Sequence, residues 1–376
     1  MRIAKIAAYK LEIPMYSSYV TSFGTIDRKP TVVVEVETDD GVKGWGEAAA
    51  LSLPVYNAET VDTCMLAIKN YLAPFLLGPR IESIMDAMEK IRHIKGHHIA
   101  KAGLETALWM IFSLIEGKSL STLLGGSRKK IAVGESIGIK ASIDELIEEI
   151  SLRLFQGFQR IKIKIQPGWD INVLDAVRRV YPTTPLMVDA NSSYTLQDMK
   201  MLKKFDNYHL TMIEQPLAAD DIIDHAVLQK AIDTPICLDE SILSVEDARK
   251  AISLGACKVI NIKPGRVGGL LESQRIHDIC QASNVGVWCG GMMETGLGKA
   301  FNIALSSLSG FVYAADMSPA HFYFVDDIVD GGFLIDEKGW IEVPDLEGLG
   351  FRINEEKIQQ YTVEKFCECT VNNTLV

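Results

Sequence analysis

Five short segments decide the fold: RIKIKI at 160–165, LMVDA at 186–190, TMIE at 211–214, ICLD at 236–239 and VINIK at 259–263. Each is short and apolar enough for a buried strand, and each carries a charged residue at or near its end. Three further apolar segments extend the series: Ile131–Ile139, Val285–Cys289 and Val312–Ala315. The intervening segments have helical periodicity, as in Asp144–Phe155, Ile171–Val180, Leu196–Phe205 and Val245–Leu254.

Strands that alternate with helices about eight times predict an α/β fold with a parallel sheet closed into a barrel. The alternative is an open, doubly wound sheet. Such a sheet usually has a glycine-rich turn after its first strand, and no such turn follows Ile139. We therefore predict a (β/α) barrel.

The two ends of the chain differ from this pattern. Ile3–Ile13 and Thr31–Thr38 are rich in β-branched residues, and residues 57–125 have apolar positions at helical spacing. Strands followed by helices predict an α+β domain. The alternation is lost over about the last 60 residues, which we expect to pack on the first domain. The predicted division is an α+β domain over 1–125, a barrel over 126–317 and a return to the first domain over 318–376.

Composition excludes several classes of partner. The chain has 376 residues and a formal net charge of −11, without a basic stripe, which argues against nucleic acid and anionic membranes. The N-terminus lacks the apolar core of a signal peptide, and we find no stretch with the roughly 18 apolar residues of a membrane-spanning helix. Seven scattered cysteines do not suggest a disulfide framework, so we expect a cytoplasmic protein. We also expect a homo-oligomer.

Barrel enzymes carry their catalytic groups at the carboxyl ends of the strands. The central strands of this chain end at Lys164, Asp189, Glu214, Asp239 and Lys263, spaced by 25, 25, 25 and 24 residues. We call these five residues the charged ladder. Strand ends that fray into solvent also carry charges, but each of these residues closes an apolar run and should therefore face the mouth of the barrel.

The three carboxylates of the ladder are expected to meet because they end three adjacent strands. Like charges this close raise one another's pKa unless a cation lies among them. Oxygen ligands without Cys or His select Mg²⁺, with Mn²⁺ as the alternative, and leave positions for substrate oxygens. The sequence therefore predicts a metal site at Asp189, Glu214 and Asp239, and a small-molecule carboxylate as the substrate.

The two lysines of the ladder would place an ammonium group on each face of that substrate. A carbon next to a carboxylate is a weak acid, because deprotonation adds a second negative charge that a metal stabilises. Lys164 and Lys263 are thus candidate acid–base groups. Lys162 lies two residues before Lys164, on the same strand face, where a second ammonium favours the neutral form that a base needs. A barrel that only binds carboxylates or metal is the non-enzymatic alternative, and it needs no such pair.

Seven motifs around these residues lie between positions 44 and 294: GWGE at 44–47, KIK at 162–164, DAN at 189–191, EQP at 214–216, DES at 239–241, NIKPGRVGG at 261–269 and GGMME at 290–294. Together they resemble the enolase superfamily in its muconate-lactonizing subgroup, and most of all its o-succinylbenzoate synthase and N-succinylamino acid racemase branch. The resemblance implies a modified TIM barrel, (β/α)7β, with an α+β capping domain built from both termini. It also implies that the ladder supplies the metal ligands and the acid–base lysines.

The resemblance implies two outcomes of proton abstraction. One lysine can return the proton to a leaving hydroxyl, as in the dehydration of 2-succinyl-6-hydroxy-2,4-cyclohexadiene-1-carboxylate in menaquinone biosynthesis. Alternatively the lysines exchange roles across the carbon, as in N-succinylamino acid racemisation. The mandelate-racemase-like pattern is set aside, since Trp288-Cys289-Gly290 stands where a His would end the seventh strand. Muconate cycloisomerase and dipeptide epimerase stay alternatives, although Asp316-Met317-Ser318 lacks the second Asp of the epimerases.

The remaining predictions concern residues around the ladder. Supporting residues that orient the ligands or tune the lysines are Lys162, Asn191, Glu240 and Arg266. Candidate substrate contacts on the barrel loops and in the cap are Ser136, Gly291, Met293, Phe23 and Tyr56. Ordinary loop hydrogen bonds and core packing are the alternative interpretations of these residues.

Overall fold

The computed structural model describes residues 1–21 and 24–370, and it describes their side chains except at 17–21 and 24–26. Its first part is an antiparallel sheet in the order β15–β1–β2–β3, in which both ends of the chain meet. The strands are β1 (Ile3–Thr21), β2 (Gly24–Thr38), β3 (Lys43–Ala48) and β15 (Thr362–Cys369). β-branched residues favour the extended backbone of β1 and β2, and those at Ile3, Ile6, Ile13 and Val32–Val34 are fully buried.

Helices cover one side of this sheet and complete the cap. They are α1 (Val61–Ala67), α2 (Ala73–Leu76), α3 (Ile84–Lys90), α4 (His98–Glu116) and α5 (Leu120–Leu123), with a π-helical turn at Ile68–Leu72. By length and composition α4 could cross a membrane, contrary to our expectation from the sequence. In the fold it is a core helix, because 12 of its 19 residues are buried.

The second part is a barrel of parallel strands in the order β10–β9–β8–β7–β6–β5–β4–β11. They are β4 (Lys130–Ile137), β5 (Arg160–Lys164), β6 (Leu186–Asp189), β7 (Ile213–Glu214), β8 (Ile236–Leu238), β9 (Val259–Ile262), β10 (Gly286–Cys289) and β11 (Ala315–Asp316). An isolated parallel bridge between Val287 and Phe311 links the two ends of the series, so the barrel is nearly closed.

Seven helical connections join the eight strands, and no helix of this kind follows β11 within the described residues. The helices are α6 (Ile143–Phe155), α7 (Ile171–Val180), α8 (Met199–Leu202), α9 (Ile222–Ala231), α10 (Val245–Leu254), α11 (Pro264–Val267), α12 (Leu270–Ala282) and α13 (Gly296–Ser306), with 3₁₀ turns at Leu196–Asp198 and Lys203–Tyr208. Side chains cap several N-termini, for example Ser142 on α6 and Ser244 on α10. The predicted (β/α)7β barrel with an α+β cap is confirmed.

After β11 the chain returns toward the cap. The returning elements are the 3₁₀ turn Ala320–Phe322, β12 (Val329–Asp330), β13 (Trp340–Glu342), β14 (Arg352–Ile353) and α14 (Glu355–Tyr361). β13 pairs antiparallel with the barrel strand β4 over Lys130–Ala132, whereas β15 pairs with the cap strand β1. The described residues of this segment, 318–370, therefore contact both parts of the molecule, and the division at residue 317 stays a prediction.

The barrel interior is packed rather than open. Its buried apolar side chains, one from each of five neighbouring strand segments, form a cluster of Met187, Met212, Cys237, Val259 and Trp288. All seven cysteines of the chain are free, and five are buried. The charged ladder lies beyond this packed interior, at the carboxyl ends of the strands, where polar groups can reach a ligand.

Candidate active site

A cavity of about 430 Å³ lies between the cap and the carboxyl ends of the barrel strands, and we call it the upper cavity. The cap contributes residues from the segment 49–59 after β3, together with Ile99 at the start of α4. The barrel contributes Lys164, Asn191 and Lys263 from three different strand ends. A ligand in this cavity would therefore contact both parts of the molecule.

The register of the barrel brings the charged ladder to one end. Lys164, Asp189 and Glu214 end β5, β6 and β7 and lie side by side, since Lys164 pairs with Asp189 and Asp189 with Glu214 in the parallel ladders. Asp239 and Lys263 come directly after β8 and β9. Their strand ends meet because neighbouring parallel strands have their carboxyl ends at the same edge.

Each acidic residue of the ladder pairs with a basic group. Lys164 Nζ donates to Asp189 Oδ2 at 2.5 Å, and Lys263 Nζ donates to Asp239 Oδ2 at 2.7 Å. Glu214 accepts from Lys162 Nζ at 3.1 Å. All three carboxylates are at most 1% exposed, so these charges depend on their partners rather than on water.

The donor set fits a hard divalent cation in its chemistry, because three buried carboxylates supply only oxygen. A fourth carboxylate, that of Glu240, has a buried Oε2 without a hydrogen-bond partner among the described residues. The side chains do not enclose a common point, however. Within residues 1–21 and 24–370, no three His, Cys, Asp or Glu side chains are grouped so that they could hold a metal ion. In this arrangement each of the three carboxylates accepts from a lysine.

The pKa values reflect this pairing. Burial opposes the charged form of Asp189, but the ammonium groups of Lys164 and Lys162 outweigh it and lower the pKa of this carboxyl to about 2. Burial also opposes the charged form of Lys263, yet Tyr56, Glu214 and other acidic neighbours outweigh it and raise the pKa of this lysine. These negative surroundings favour the protonated form of Lys263.

A second set of side chains orients the ladder. Asn191 accepts from Lys164 Nζ at 2.5 Å and donates to Glu240 Oε1 at 3.0 Å. Arg266 is fully buried and donates to Asp239 Oδ1 and, at 2.8 Å, to the carbonyl of Ile242. These contacts restrict the rotamers of the ladder residues, which is how a catalytic geometry is held in place.

The loops that carry these groups have strained backbone. Asn191, Gln215 and Met293 adopt positive φ angles of 40°, 37° and 57°. Asn191 and Gln215 follow the strand ends at Asp189 and Glu214 by two residues and one residue. Non-glycine residues in the left-handed region are uncommon and cluster at functional sites, where the surrounding structure holds them.

Comparison with known proteins identifies the family. Residues 5–125 match the mandelate racemase / muconate lactonizing enzyme N-terminal domain, and residues 128–357 match the enolase C-terminal domain-like family. The chain belongs to the enolase superfamily. The resemblance stated from the sequence motifs is thereby confirmed, and the upper cavity lies where the two matched parts of this superfamily member face each other.

Similar proteins within the superfamily extend over the full length of the chain. It is 45% identical to an o-succinylbenzoate synthase of Bacillus subtilis, covering 97% of this chain and 98% of the relative. It is 39% identical to an N-succinylamino acid racemase of Thermus thermophilus, covering 96% and 98%. An enolase superfamily member of known structure from Listeria innocua superimposes with a TM-score of 0.95 at 38% identity, covering 98% of this chain and 99% of that one.

The predicted substrate contacts have different positions. Tyr56, Gly291 and Met293 line the upper cavity. Tyr56 Oη accepts from Lys263 Nζ at 3.1 Å and approaches Asp239 Oδ1 at 3.2 Å. Ser136 is half-buried on β4 and does not line the cavity within the described residues. Phe23 lies outside the described residues.

Two residues near the ladder, Asp316 and Asn261, were not assigned a role in this chain from the sequence. Asp316 ends β11 and accepts from Lys162 Nζ at 2.8 Å, so it satisfies the same strand-end rule that identified the ladder. Asn261 Nδ2 donates to Glu214 Oε1 at 2.6 Å. Its place two residues before Lys263, on the same face of β9, was the available signal.

Proposed function

We propose that this protein removes the proton from the carbon next to a substrate carboxylate, as an o-succinylbenzoate synthase, an N-succinylamino acid racemase, or both. The observation that carries the proposal is the pair of lysines in one cavity. Lys164 and Lys263 both line the upper cavity, on β5 and directly after β9, with the acidic strands β6, β7 and β8 between them. The names of the full-length relatives support the same two activities.

We propose Asp189, Glu214 and Asp239 as the residues that hold a divalent cation, Mg²⁺ or Mn²⁺. When bound, the cation supplies positive charge that stabilises the deprotonated carboxylate substrate. The three side chains would turn from their lysines toward the cation, and the orphaned Oε2 of Glu240 lies beside them as a further acceptor. That exchange of partners would also free the lysine amines for proton transfer.

The lysines then determine which product forms. In dehydration, one lysine takes the proton from the carbon and delivers it to the hydroxyl that leaves as water. In racemisation, one lysine takes the proton and the other, protonated, returns a proton to the opposite face. Racemisation requires that both amines reach the same carbon, which fits their shared cavity.

Four further residues have supporting roles in the proposal. Asn191 would position the amine of Lys164, with Glu240 holding Asn191 in turn. Arg266 would tune the charge near Lys263 through Asp239. The ammonium group of Lys162 would compensate the negative charge of the Glu214 carboxylate below the reacting carbon. A cytoplasmic homo-oligomer acting on a small carboxylate completes the proposal.

Turnover of two substrate classes tests the proposal. Purified protein with Mg²⁺ should convert 2-succinyl-6-hydroxy-2,4-cyclohexadiene-1-carboxylate, exchange the α-proton of an N-succinylamino acid in D₂O, or do both, and EDTA should stop each reaction. Muconate and a dipeptide serve as comparison substrates. Turnover of muconate alone would favour the muconate cycloisomerase alternative, and turnover of the dipeptide alone would favour the epimerase alternative. Substrate binding without exchange of any α-proton would favour a carboxylate-binding barrel and reject the proposal.

A further inference from the structure

A second cavity, of about 280 Å³, lies at the opposite end of the barrel, and we call it the lower cavity. Residues at or just before the first positions of the strands line it, among them Ile131 of β4, Arg160 of β5 and Pro185 before β6. Ligand cavities usually begin near roughly 300 Å³, so this volume suits a ligand with a single ring. The packed cluster around Met187 and Met212 separates it from the upper cavity.

The charge of the lower cavity is opposite to that of the chain. Among the described residues, two arginines, Arg128 and Arg160, line it and no Asp or Glu does, whereas the whole chain carries a net charge of −11. Arg128 has no ion pair with a carboxylate among the described residues; its Nη2 donates to the carbonyl of Ser309 at 3.0 Å. The cavity thus offers a positive lining to an anion.

Arg160 has unused hydrogen-bonding capacity. It is 5% exposed, and its Nη2 donates to the carbonyl of Ala314 at 2.9 Å and to Asp316 Oδ1 at 2.6 Å. Its Nη1 is buried without a hydrogen-bond partner among residues 1–21 and 24–370. A buried donor without a partner costs free energy, and an acceptor supplied by a ligand would remove that cost.

The walls of the cavity suit an aromatic ring. Four aromatic side chains line it: Trp288, Phe311, Tyr313 and Trp340. The guanidinium of Arg160 lies 5.0 Å from the centroid of the Trp288 ring, so charged and aromatic surfaces adjoin. We propose that the lower cavity is a binding site for a small aromatic carboxylate, with the carboxylate on Arg160 and Arg128 and the ring among the aromatic side chains.

Such a ligand would have a route to the active site. Asp316 accepts from Arg160 and, through Oδ2, from Lys162 at 2.8 Å, and Lys162 donates to Glu214 at 3.1 Å. A ligand carboxylate that binds Arg160 would weaken the ion pair between Arg160 and Asp316. That change would alter the electrostatic interaction between Asp316 and Lys162. The lower site is therefore coupled to the ladder through a continuous chain of buried ion pairs.

A soak of crystals of the full chain with 4-bromobenzoate tests the site directly. The anomalous signal of bromine should appear in the lower cavity, with the carboxylate near Arg160. In calorimetric titrations, Arg160→Met and Arg128→Met should each raise the Kd of 4-bromobenzoate for the lower cavity by about tenfold or more. This is the effect expected when a hydrogen bond to a charged group is lost. Arg249→Met, an exposed arginine paired with Glu246, is the matched control and should bind as the wild type does.

Two outcomes would overturn the site. One is bromine only in the upper cavity or nowhere in the protein. The other is unchanged affinity in the Arg128→Met variant, which leaves the Arg160–Asp316 pair in place and so tests the site even where Arg160→Met fails to fold.

The coupling to the active site rests on the proposed function and has a separate test. Benzoate bound in the lower cavity should lower kcat in a way that excess substrate does not reverse, whereas benzoate in the upper cavity should compete with substrate. Purely competitive inhibition would reject the coupling. Bromine in the lower cavity of a protein that turns over neither substrate class would reject the proposed function and leave the binding site established.

Discussion

Asp316 shows how single residues balance charge inside this barrel. Its carboxylate contacts Arg160 and Lys162, which lie at the start and in the middle of strand β5, while Asp316 comes from β11, more than 150 residues later in the chain. Burial opposes ionisation of Asp316, yet these two cations outweigh it and hold its pKa well below the usual range. Removing the carboxylate would leave two buried cations with one partner fewer.

The lysine pair should be indispensable for proton transfer. We expect Lys164→Ala and Lys263→Ala each to lower kcat by roughly 10²–10⁴-fold, the usual contribution of an acid–base group, while circular dichroism shows the native fold. Lys258→Ala is the matched control, because Lys258 is exposed at the other end of β9 and its ammonium group donates to the carbonyl of Asp233. Near-native kcat in either active-site variant would contradict the mechanism.

Asp316→Asn should destabilise the protein by about 3 kcal/mol at pH 7, because it breaks buried ion pairs. The folded pKa of Asp316 is depressed, so its contribution is present above the unfolded Asp pKa of about 3.9 and is lost as the pH falls through the lower folded value. The difference from wild type in urea unfolding should therefore narrow below about pH 4. Asp345→Asn, in an exposed pair with Lys129, should change stability little at either pH.

At the scale of elements, the close packing of β3 on α4 explains the GWGE motif of the cap. A Cβ on Gly44 or Gly46 would collide with carbonyl oxygens of α4, those of Ala107 and Gly103 respectively. Glycine thus lets the strand approach the helix backbone. The motif ends in Glu47, which reaches across to the N-terminus of α13 and accepts from Thr295 Oγ1 at 2.7 Å.

Gly46→Ala should separate β3 from α4 and cost about 1–3 kcal/mol, as overpacking of a core usually does. Urea unfolding would measure this loss. Gly96→Ala is the comparison, because a Cβ there meets no atom within 4 Å and only the positive φ of 63° opposes it, at a cost of roughly 1 kcal/mol. Equal stability of Gly46→Ala and wild type would show that the strand and helix can move apart freely.

At the scale of the molecule, contacts between distant parts of the chain hold the cap on the barrel. Glu105 of α4 accepts from the backbone N–H groups of Leu270 and Leu271, at the start of α12, at 2.7 and 2.8 Å. The segment after β3 places Tyr56 within hydrogen-bonding distance of Lys263. These contacts help to hold the cap over the strand ends, where the upper cavity lies.

The last strand closes the cap sheet, and its removal should destabilise the whole molecule. β15 pairs with β1 over Lys5–Leu11, so a chain that stops at Tyr361 would leave β1 as an unpaired edge. We expect a lower Tm and self-association in size-exclusion chromatography. A chain that stops at Thr370 keeps β15 and should behave as the full-length protein does. A chain that stops at Tyr361 with the Tm and the oligomeric state of the full-length protein would contradict this prediction.

Much of the fold and of the ladder could be predicted because both depend on local patterns. The strand that ends at Glu214 was expected over Thr211–Glu214 and is Ile213–Glu214, since an apolar run marks the strand but not the hydrogen bonds that bound it. By length and composition α4 could cross a membrane, so composition alone does not predict where this helix lies. Only its packing in the fold distinguishes this core helix from a membrane-spanning one.

The sequence by itself determined the alternation of strands and helices, and with it the charged ladder at one end of the barrel, because both follow from periodicity and from where apolar runs stop. Only the tertiary structure decided the partner of each charge: Lys164 with Asp189, Lys162 with Glu214 and Asp316, and Lys263 with Asp239 and Tyr56. These partners lie 24 to more than 200 residues apart, and the distances between their side chains depend on how the barrel closes and where the cap rests.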